Sequence, residues 1–348
     1  MRIDTGPLAG AFRDMTASYK AFWFLSLVDA VERRVLRTRT DFHVSFEEMG
    51  RGILDLAFWP AVTYRLSFGP SDQIHRRLES QRDDRGNQRR PRLGFDLKEE
   101  RSSGILRHVP QRFLMPWVGD YPDVRATTEK DRPIIAAAAI EFETPGRIPY
   151  RILPTGIEID RLWFEEIADS LLIMRALGER ELIRFLQSRN PTVPGIPDKI
   201  SAPGRSGLAD QKKFWLEMSD EKPPLCFYRA TRLEGSAFSL DHFVPWSFVA
   251  HDRIWNLVPM ERSLNSKKGV RLPDLDLVDR MGQTHLGLVR KAKTFERKDV
   301  DKILGEYEAD LRIDLQGLED ADFLSAHREA VAPLMALAKR SGFTGKWL

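Results

Sequence analysis

Cysteine is nearly missing from this chain of 348 residues, where Cys226 stands alone. One thiol cannot form an internal disulfide, and it cannot build a structural zinc site, which usually takes four cysteine and histidine ligands. Cys226 therefore reads as a small buried hydrophobe. Long apolar runs are missing too. None approaches the roughly 18 to 20 residues needed to span a bilayer, and the opening MRIDTGPLAGAFRD brings an early acid without the apolar core of a secretory signal. These absences predict no membrane segment and a place in the cytoplasm. Net charge is equally scarce. With 54 Lys and Arg against 51 Asp and Glu, the formal charge is only +3, so affinity for a polyanion has to come from local basic patches. No internal repeat and no low-complexity tract is visible.

What is present is a globular composition, 42% hydrophobic and 10% aromatic, in a chain long enough for more than one folding unit. Tyr19, Phe22, Trp23, Leu27 and Val31 recur at helical spacing, with Arg33 and Arg34 toward the end where cations suit the helix dipole. A second helix starts at Ser45, and SFEE predicts a capping box with Glu48 reaching back. Its apolar face is Phe46, Met49, Ile53 and Leu56, interrupted at Pro60. A short helix carries Ile74 and Leu78, after which Arg82, Arg85, Arg89, Arg90 and Arg92 sit among Gly, Asn and Pro. That segment is either a solvated loop or a phosphate-binding arm that orders on nucleic acid.

PIIAAAAIEF is too short for periodicity to decide between helix and strand. A long helix is expected after Asp160 as N-cap, with Leu162, Ile167, Leu171, Met174, Leu177, Leu182 and Leu186 facing a core. The Pro- and Gly-rich NPTVPGIPDKISAPGRSG marks a boundary. Two amphipathic helices are expected near the end, around Val300 to Tyr307 and from about Asp320 to Arg340. The expected division is a mostly helical region 1–195, a compact unit 205–285 and a helical tail 286–348.

The stretch from Phe238 to Pro273 carries the chemistry. Asp241 and His242 are adjacent on a hydrophobic strand, Asn256 follows the histidine by fourteen residues, and Asn265 lies nine further on. Hydrolysis of a phosphodiester needs a base for the attacking water, a cation for developing charge and groups that position the phosphate. His242 is the candidate base, since imidazole is competent near neutral pH. Asp241 and Asn265 offer hard oxygens that suit Mg²⁺. Lys268 is expected at the phosphate as a point charge, with Lys267 and Arg271 beside it, while Asn256 fixes its loop. The short helix carrying Asn265 ends at Gly269.

This pattern of DH, then N, then N resembles the HNH endonuclease motif, the ββα-metal finger, and its spacing is similar to the HNH module of RNA-guided CRISPR effector nucleases. The wider chain resembles bacterial HNH endonuclease proteins with a helical N-terminal region, through ASYKAFWFLSLVDAV, VSFEEM, YRLSFGPSDQI, FLQSRNPTVPGIPDKI and DHFVPWSFVAHDRIWNLVP. The resemblance implies a mainly α protein with a small ββα-metal finger, α+β overall. It implies His242 as general base, Asp241 and Asn265 as ligands of one divalent metal, and Asn256 as the loop brace. The implied activity is metal-dependent DNA endonuclease, one strand cut per site, in restriction or anti-phage defence with possible protein partners. The alternative is a DNA-binding or scaffold protein that keeps the finger without cutting.

Two departures from the pattern matter. Many HNH proteins flank the finger with CxxC pairs for structural zinc, whereas this chain reads CFYR, so no structural zinc is expected. The finger then has to be held by Phe243, Val244, Trp246, Phe248, Trp255 and Leu257, each worth roughly 1.5–3 kcal/mol when fully buried. The last signature position is Asn265 where many members have histidine, which favours Mg²⁺ or Mn²⁺ over softer metals. For DNA the candidate contacts are Lys267, Lys268, Arg271, Arg89, Arg90 and Arg92.

Overall fold

Ten buried residues on one helix, Tyr19–Arg37, set up the N-terminal half. The computed structural model describes every residue except 1, 2, 4, 14, 38–40, 71, 83–93, 205, 206, 234–237, 318, 346 and 348. The Tyr19–Arg37 helix is apolar almost all round and is packed by the helices Phe46–Phe58 and Leu171–Arg189, as a core helix must be. A small antiparallel sheet closes one side. Its strands β1 (His43–Ser45), β2 (Tyr150–Ile152) and β3 (Gly156–Ile159) lie in the order β1-β3-β2, with His43 opposite Glu158 and Tyr150 opposite Ile159. Trp23 Nε1 donates to Tyr150 Oη at 2.8 Å, and that hydroxyl donates to Pro110 O at 2.7 Å. One buried polar chain thus joins the central helix, the sheet and the short helix Val109–Arg112.

Half of the expected capping box forms. Ser45 Oγ accepts from Glu48 N at 3.1 Å, but the Glu48 carboxylate turns to Arg34 at 2.8 Å and to Arg33 at 3.1 Å. Two guanidiniums outbid one backbone N–H for the acid. Pro60 interrupts the α-helix as expected, and that helix stops at Phe58. The chain widens into a π turn over Trp59–Thr63, a geometry that accommodates a residue without an N–H. The short helix Gln73–Glu79 is capped by Asp72, which accepts from Ile74 N and His75 N. PIIAAAAIEF lies in a helix, Asp131–Phe142.

Asp160 caps as expected, accepting from Leu162 N and Trp163 N, but the long helix after it is broken. It runs as Arg161–Asp169 and Leu171–Arg189, with Ser170 between them at φ −116°, ψ 27°. The break changes the face presented, so Met174, Leu182 and Leu186 are buried while Leu172 is 85% exposed.

The chain is mainly helical, with a second, two-stranded sheet of β4 (Ser239–His242) and β5 (Leu257–Met260). A second hydrophobic core extends from Phe214 to Trp347 and includes both strands. It is completed by the helices Ala209–Met218, Arg262–Lys268, Leu277–Ala292, Lys298–Leu311 and Asp320–Arg340. The Leu277–Ala292 helix was not anticipated from sequence, because Gly282 and Gly287 lower its propensity. Contacts tie the two cores together. Trp246 of the second sheet's loop belongs to the first core and meets Tyr64. Lys199, fully buried, donates to Pro194 O and to Phe248 O, the latter at 2.6 Å, and burial pushes its pKa down to about 7.

Candidate active site

Strands β4 and β5 pair antiparallel with Asp241 opposite Val258 and His242 opposite Leu257. The helix Arg262–Lys268 follows β5 directly and stops at Gly269, whose φ of 59° lies where glycine is favoured. This is a ββα unit. Between the strands, residues 243–256 form a loop closed at its base by Asn256. The Asn256 amide is fully buried, accepting from Val244 N at 2.9 Å and donating to Val244 O at 2.9 Å. Phe243 N donates to Asn256 O at 2.8 Å.

His242 faces a cleft of about 160 Å³ that is lined also by Asp241, Asp252, Asn265, Trp246 and Leu208. Its Nε2 lies 2.8 Å from Asp252 Oδ1. Asp252 is a site residue that sequence reasoning missed. It sits in a loop between Ala250 and Arg253 with no periodicity to mark it, and the one signal was its place inside the span between the histidine and Asn256. The loop that carries Asp252 is held from outside. Glu306 accepts from Ile254 N at 2.8 Å, Asp310 accepts from Trp255 Nε1 at 2.8 Å, and His327 Nε2 lies 3.2 Å from Trp255 O. His251, on the same loop, leans on Trp255, and burial together with the nearby His242 pushes its pKa down to about 4.

Asp241 is 3% exposed, and both its oxygens are engaged. Lys268 Nζ donates to Oδ1 at 3.0 Å, and Tyr228 Oη donates to Oδ2 at 2.7 Å. The expectation that Lys268 meets a phosphate is corrected here. Its side chain is fully buried, and its ammonium also donates to His242 O at 2.8 Å. The cause is helical phase, since Lys268 follows the buried Leu264 by four residues and shares its inward face. Burial pushes the Lys268 pKa down, and the Asp241 carboxylate partly opposes that shift. Burial likewise drives the Tyr228 hydroxyl well up, and Asp241 adds to it. Tyr228 is the second residue missed, from the CFYR segment where only cysteines were sought.

Asn265 donates through Nδ2 to Ser239 Oγ at 3.1 Å and to Leu240 O at 3.3 Å. That leaves its Oδ1 as the oxygen available to a cation. Asp241 has accepted two hydrogen bonds where a carboxylate has about four lone-pair sites. The two residues therefore fit a hard divalent ion that keeps most of its waters, although the ion shares Asp241 with an ammonium. Among the described residues no group of three or more His, Cys, Asp or Glu could hold a metal.

Of the expected DNA contacts, Lys267 is exposed. Arg271 is half-buried and donates to the helix-end carbonyls Lys268 O, at 3.1 Å, and Lys267 O. Arg89, Arg90 and Arg92, like Arg85, lie outside the described residues. Arg82 turns inward, with Nε donating to Ala61 O at 2.9 Å and Nη1 at 3.5 Å from Glu79. Cys226 is buried and free. Phe243, Val244, Trp246, Phe248, Trp255 and Leu257 are all buried.

Comparison with known proteins assigns the finger. Residues 228–274 match a family model described as HNH endonuclease, from Tyr228 to just beyond the helix of Asn265. The chain thus carries an HNH endonuclease domain, whose family chemistry is nuclease action on DNA with a metal. No curated protein and no solved structure matches the chain. Among the described residues no helix is long and apolar enough to cross a membrane.

Proposed function

We propose that the chain is a metal-dependent DNA endonuclease that hydrolyses one strand per site, acting in the cytoplasm in restriction or anti-phage defence. The observation that carries this reading is the convergence of Asp241, His242 and Asn265 on one cleft of a ββα finger. With Nε2 of His242 occupied by Asp252, the proton sits on that nitrogen and Nδ1 is left as the base that takes a proton from water. The carboxylate of Asp252 fixes the ring and stabilises the imidazolium that forms, as an orienting acid does in other hydrolases. Asp241 and Asn265 would hold Mg²⁺ or Mn²⁺, which when bound supplies positive charge for the phosphate and the leaving oxygen. Asn256 keeps the loop closed. Lys267 and Arg271, with Arg89, Arg90 and Arg92, are proposed DNA contacts. The parts of the chain divide the work, with residues 1–195 recognising DNA or a partner of a defence system, 205–285 cutting, and 286–348 supporting.

A second reading, a finger that binds or scaffolds without cutting, is favoured by one observation. The Asp241 carboxylate is already satisfied by Lys268 and Tyr228. Supercoiled plasmid separates the two readings. The nuclease relaxes it to the nicked form in Mg²⁺ and not in EDTA, and His242→Ala abolishes the conversion. Binding without nicking in Mg²⁺ or Mn²⁺ would establish the scaffold.

A further inference from the structure

Past the helix Asp320–Arg340 the chain turns back over the finger. Phe343 packs nearly perpendicular to Phe248 of the β4–β5 loop, with ring centroids 5.8 Å apart. Gly345 has φ 124°, where glycine is favoured, and a Cβ there would lie 2.9 Å from Arg271 Cδ at the end of the Asn265 helix. Trp347 comes next in this path, 6% exposed, with its ring nearly perpendicular to that of Tyr228 and centroids 5.6 Å apart. Phe227 flanks the same phenol ring at 5.1 Å, again edge to face. The segment is tied to the first core as well. Arg65 donates to Gly342 O, and its guanidinium lies 4.8 Å over the Phe343 ring.

Tyr228 is where this segment meets the chemistry. Its hydroxyl donates to Asp241 Oδ2 at 2.7 Å, while Lys268 holds Oδ1. Where that hydroxyl points depends on where the phenol ring sits, and the ring is held between Phe227 and Trp347. The Trp347 indole Nε1 is buried without a hydrogen-bond partner. What the residue offers Tyr228 is therefore its aromatic ring.

We propose that Trp347 is a positioning residue for Asp241. It acts through Tyr228, keeping the hydroxyl on Oδ2 so that the carboxylate stays on the cleft wall with Asn265. The proposal rests on the reading of Asp241 as a ligand of the divalent ion. A ligating carboxylate is oriented by its own hydrogen bonds, and loss of such an outer partner typically weakens metal binding by about 10- to 100-fold. Trp347 and Arg65 both lie outside the segment 228–274 that matches the HNH model. The Asp241 side of the cleft thus depends on chain beyond the finger.

The test uses the full chain, free of DNA and labelled with [ζ-¹³C]tyrosine, and Mn²⁺ as the probe ion. The Tyr228 signal is assigned by its absence in Tyr228→Phe. In the metal-free protein Trp347→Leu should move that signal, and Trp347→Phe, which keeps an aromatic ring, should return it toward the parent. Trp347→Met replaces Trp347→Leu if the latter melts below the assay temperature. Mn²⁺ affinity, read by electron paramagnetic resonance, should fall about 10-fold in Trp347→Leu and recover to within about twofold of the parent in Trp347→Phe. In a Tyr228→Phe background Trp347→Leu should weaken Mn²⁺ no further, because the two act in series. A residue that merely supports the fold would lower affinity equally in both backgrounds, and that result overturns the proposal. So does a Tyr228 signal that moves with Mn²⁺ affinity unchanged. If the parent binds no Mn²⁺ while the signal still moves, the metal reading of Asp241 fails and the positioning of Tyr228 stands. If the parent binds Mn²⁺ and the signal stays in place, the ligand reading stands and Trp347 is not its positioning residue.

Discussion

The two hydrophobic cores bury their polar groups to different ends. In the first, Asp72 accepts from Ser18 N, Ser18 Oγ, Ile74 N and His75 N, and Tyr150 links Trp23 to Pro110. These bonds join one element to another and stop there. In the second, Asp241, Lys268, Tyr228, His242 and Asp252 form contacts that all end at one cleft. Burial of charge is costly in both places. Where it is scattered it fixes the packing, and where it converges on a solvent-facing wall it marks chemistry.

The largest effect that breaks this contrast is His242→Ala. It should lower cleavage by on the order of 10²–10⁴ while DNA binding and the melting temperature stay put, as a nicking assay beside a binding isotherm will show. A polar deletion in the first core, such as Asp72→Ala, should do the opposite. It removes a helix cap, costs about 1–2 kcal/mol and leaves turnover per folded molecule alone. Next comes Lys268→Met. Removing one partner of a buried pair leaves Asp241 uncompensated and should cost about 3–5 kcal/mol in urea unfolding without metal. Mg²⁺ should restore part of it, because an ion that binds only the folded state stabilises that state. Absence of any recovery would favour the scaffold reading. Asp252→Ala should reduce cleavage by up to about 10⁴-fold, the loss seen when the acid that orients a general-base histidine is removed. Asp252→Asn keeps the shape and should recover less than half of the loss.

These predictions use residues that the sequence exposed unequally. The spacing of Asp241, His242, Asn256 and Asn265 was legible through its resemblance to the HNH motif. The caps at Ser45 and Asp160 were legible because each is decided within a few residues. What was hidden depends on partners far along the chain. Tyr228 reaches Asp241 across the sheet, Glu306 and Asp310 reach the loop from a later helix, and Glu48 leaves its cap for Arg33 and Arg34. Lys268 is the case between. The inward phase shared with Leu264 was readable, but a lysine at a helix end is read as solvated by default.

Acid should separate the cores more gently. Burial pushes His327 down to about 4 and His285 well below its ordinary 6.5, both in the second core. Each stays neutral when folded and takes a proton near pH 6.5 when unfolded. Their contribution is therefore complete above pH 6.5 and is lost as pH falls toward 4, at about 1.4 kcal/mol per pH unit for each group. Hydrogen exchange at pH 5 should rise in Leu277–Ala292 and Asp320–Arg340 more than in Tyr19–Arg37, and His327→Leu should narrow the gap. The smallest effect on the fold belongs to Arg89, Arg90 and Arg92. Their joint change to Ala should alter stability by no more than about 0.5 kcal/mol while flattening the salt slope of DNA binding by roughly 2 to 3. An unchanged slope would return them to the solvated-loop reading.

The brace on the loop between β4 and β5 has a consequence in time. Glu306, Asp310 and His327 hold residues 254 and 255 from helices that lie well downstream in the chain. During synthesis, which runs from the N-terminus at about 5–20 residues per second, β4, its loop and β5 emerge several seconds before the groups that fix them. A nascent chain stalled after Gly269 holds every residue of the motif but none of these clamps. The cleft of the HNH domain is thus finished late, and a chain truncated after Gly269 would lack the groups that hold its loop.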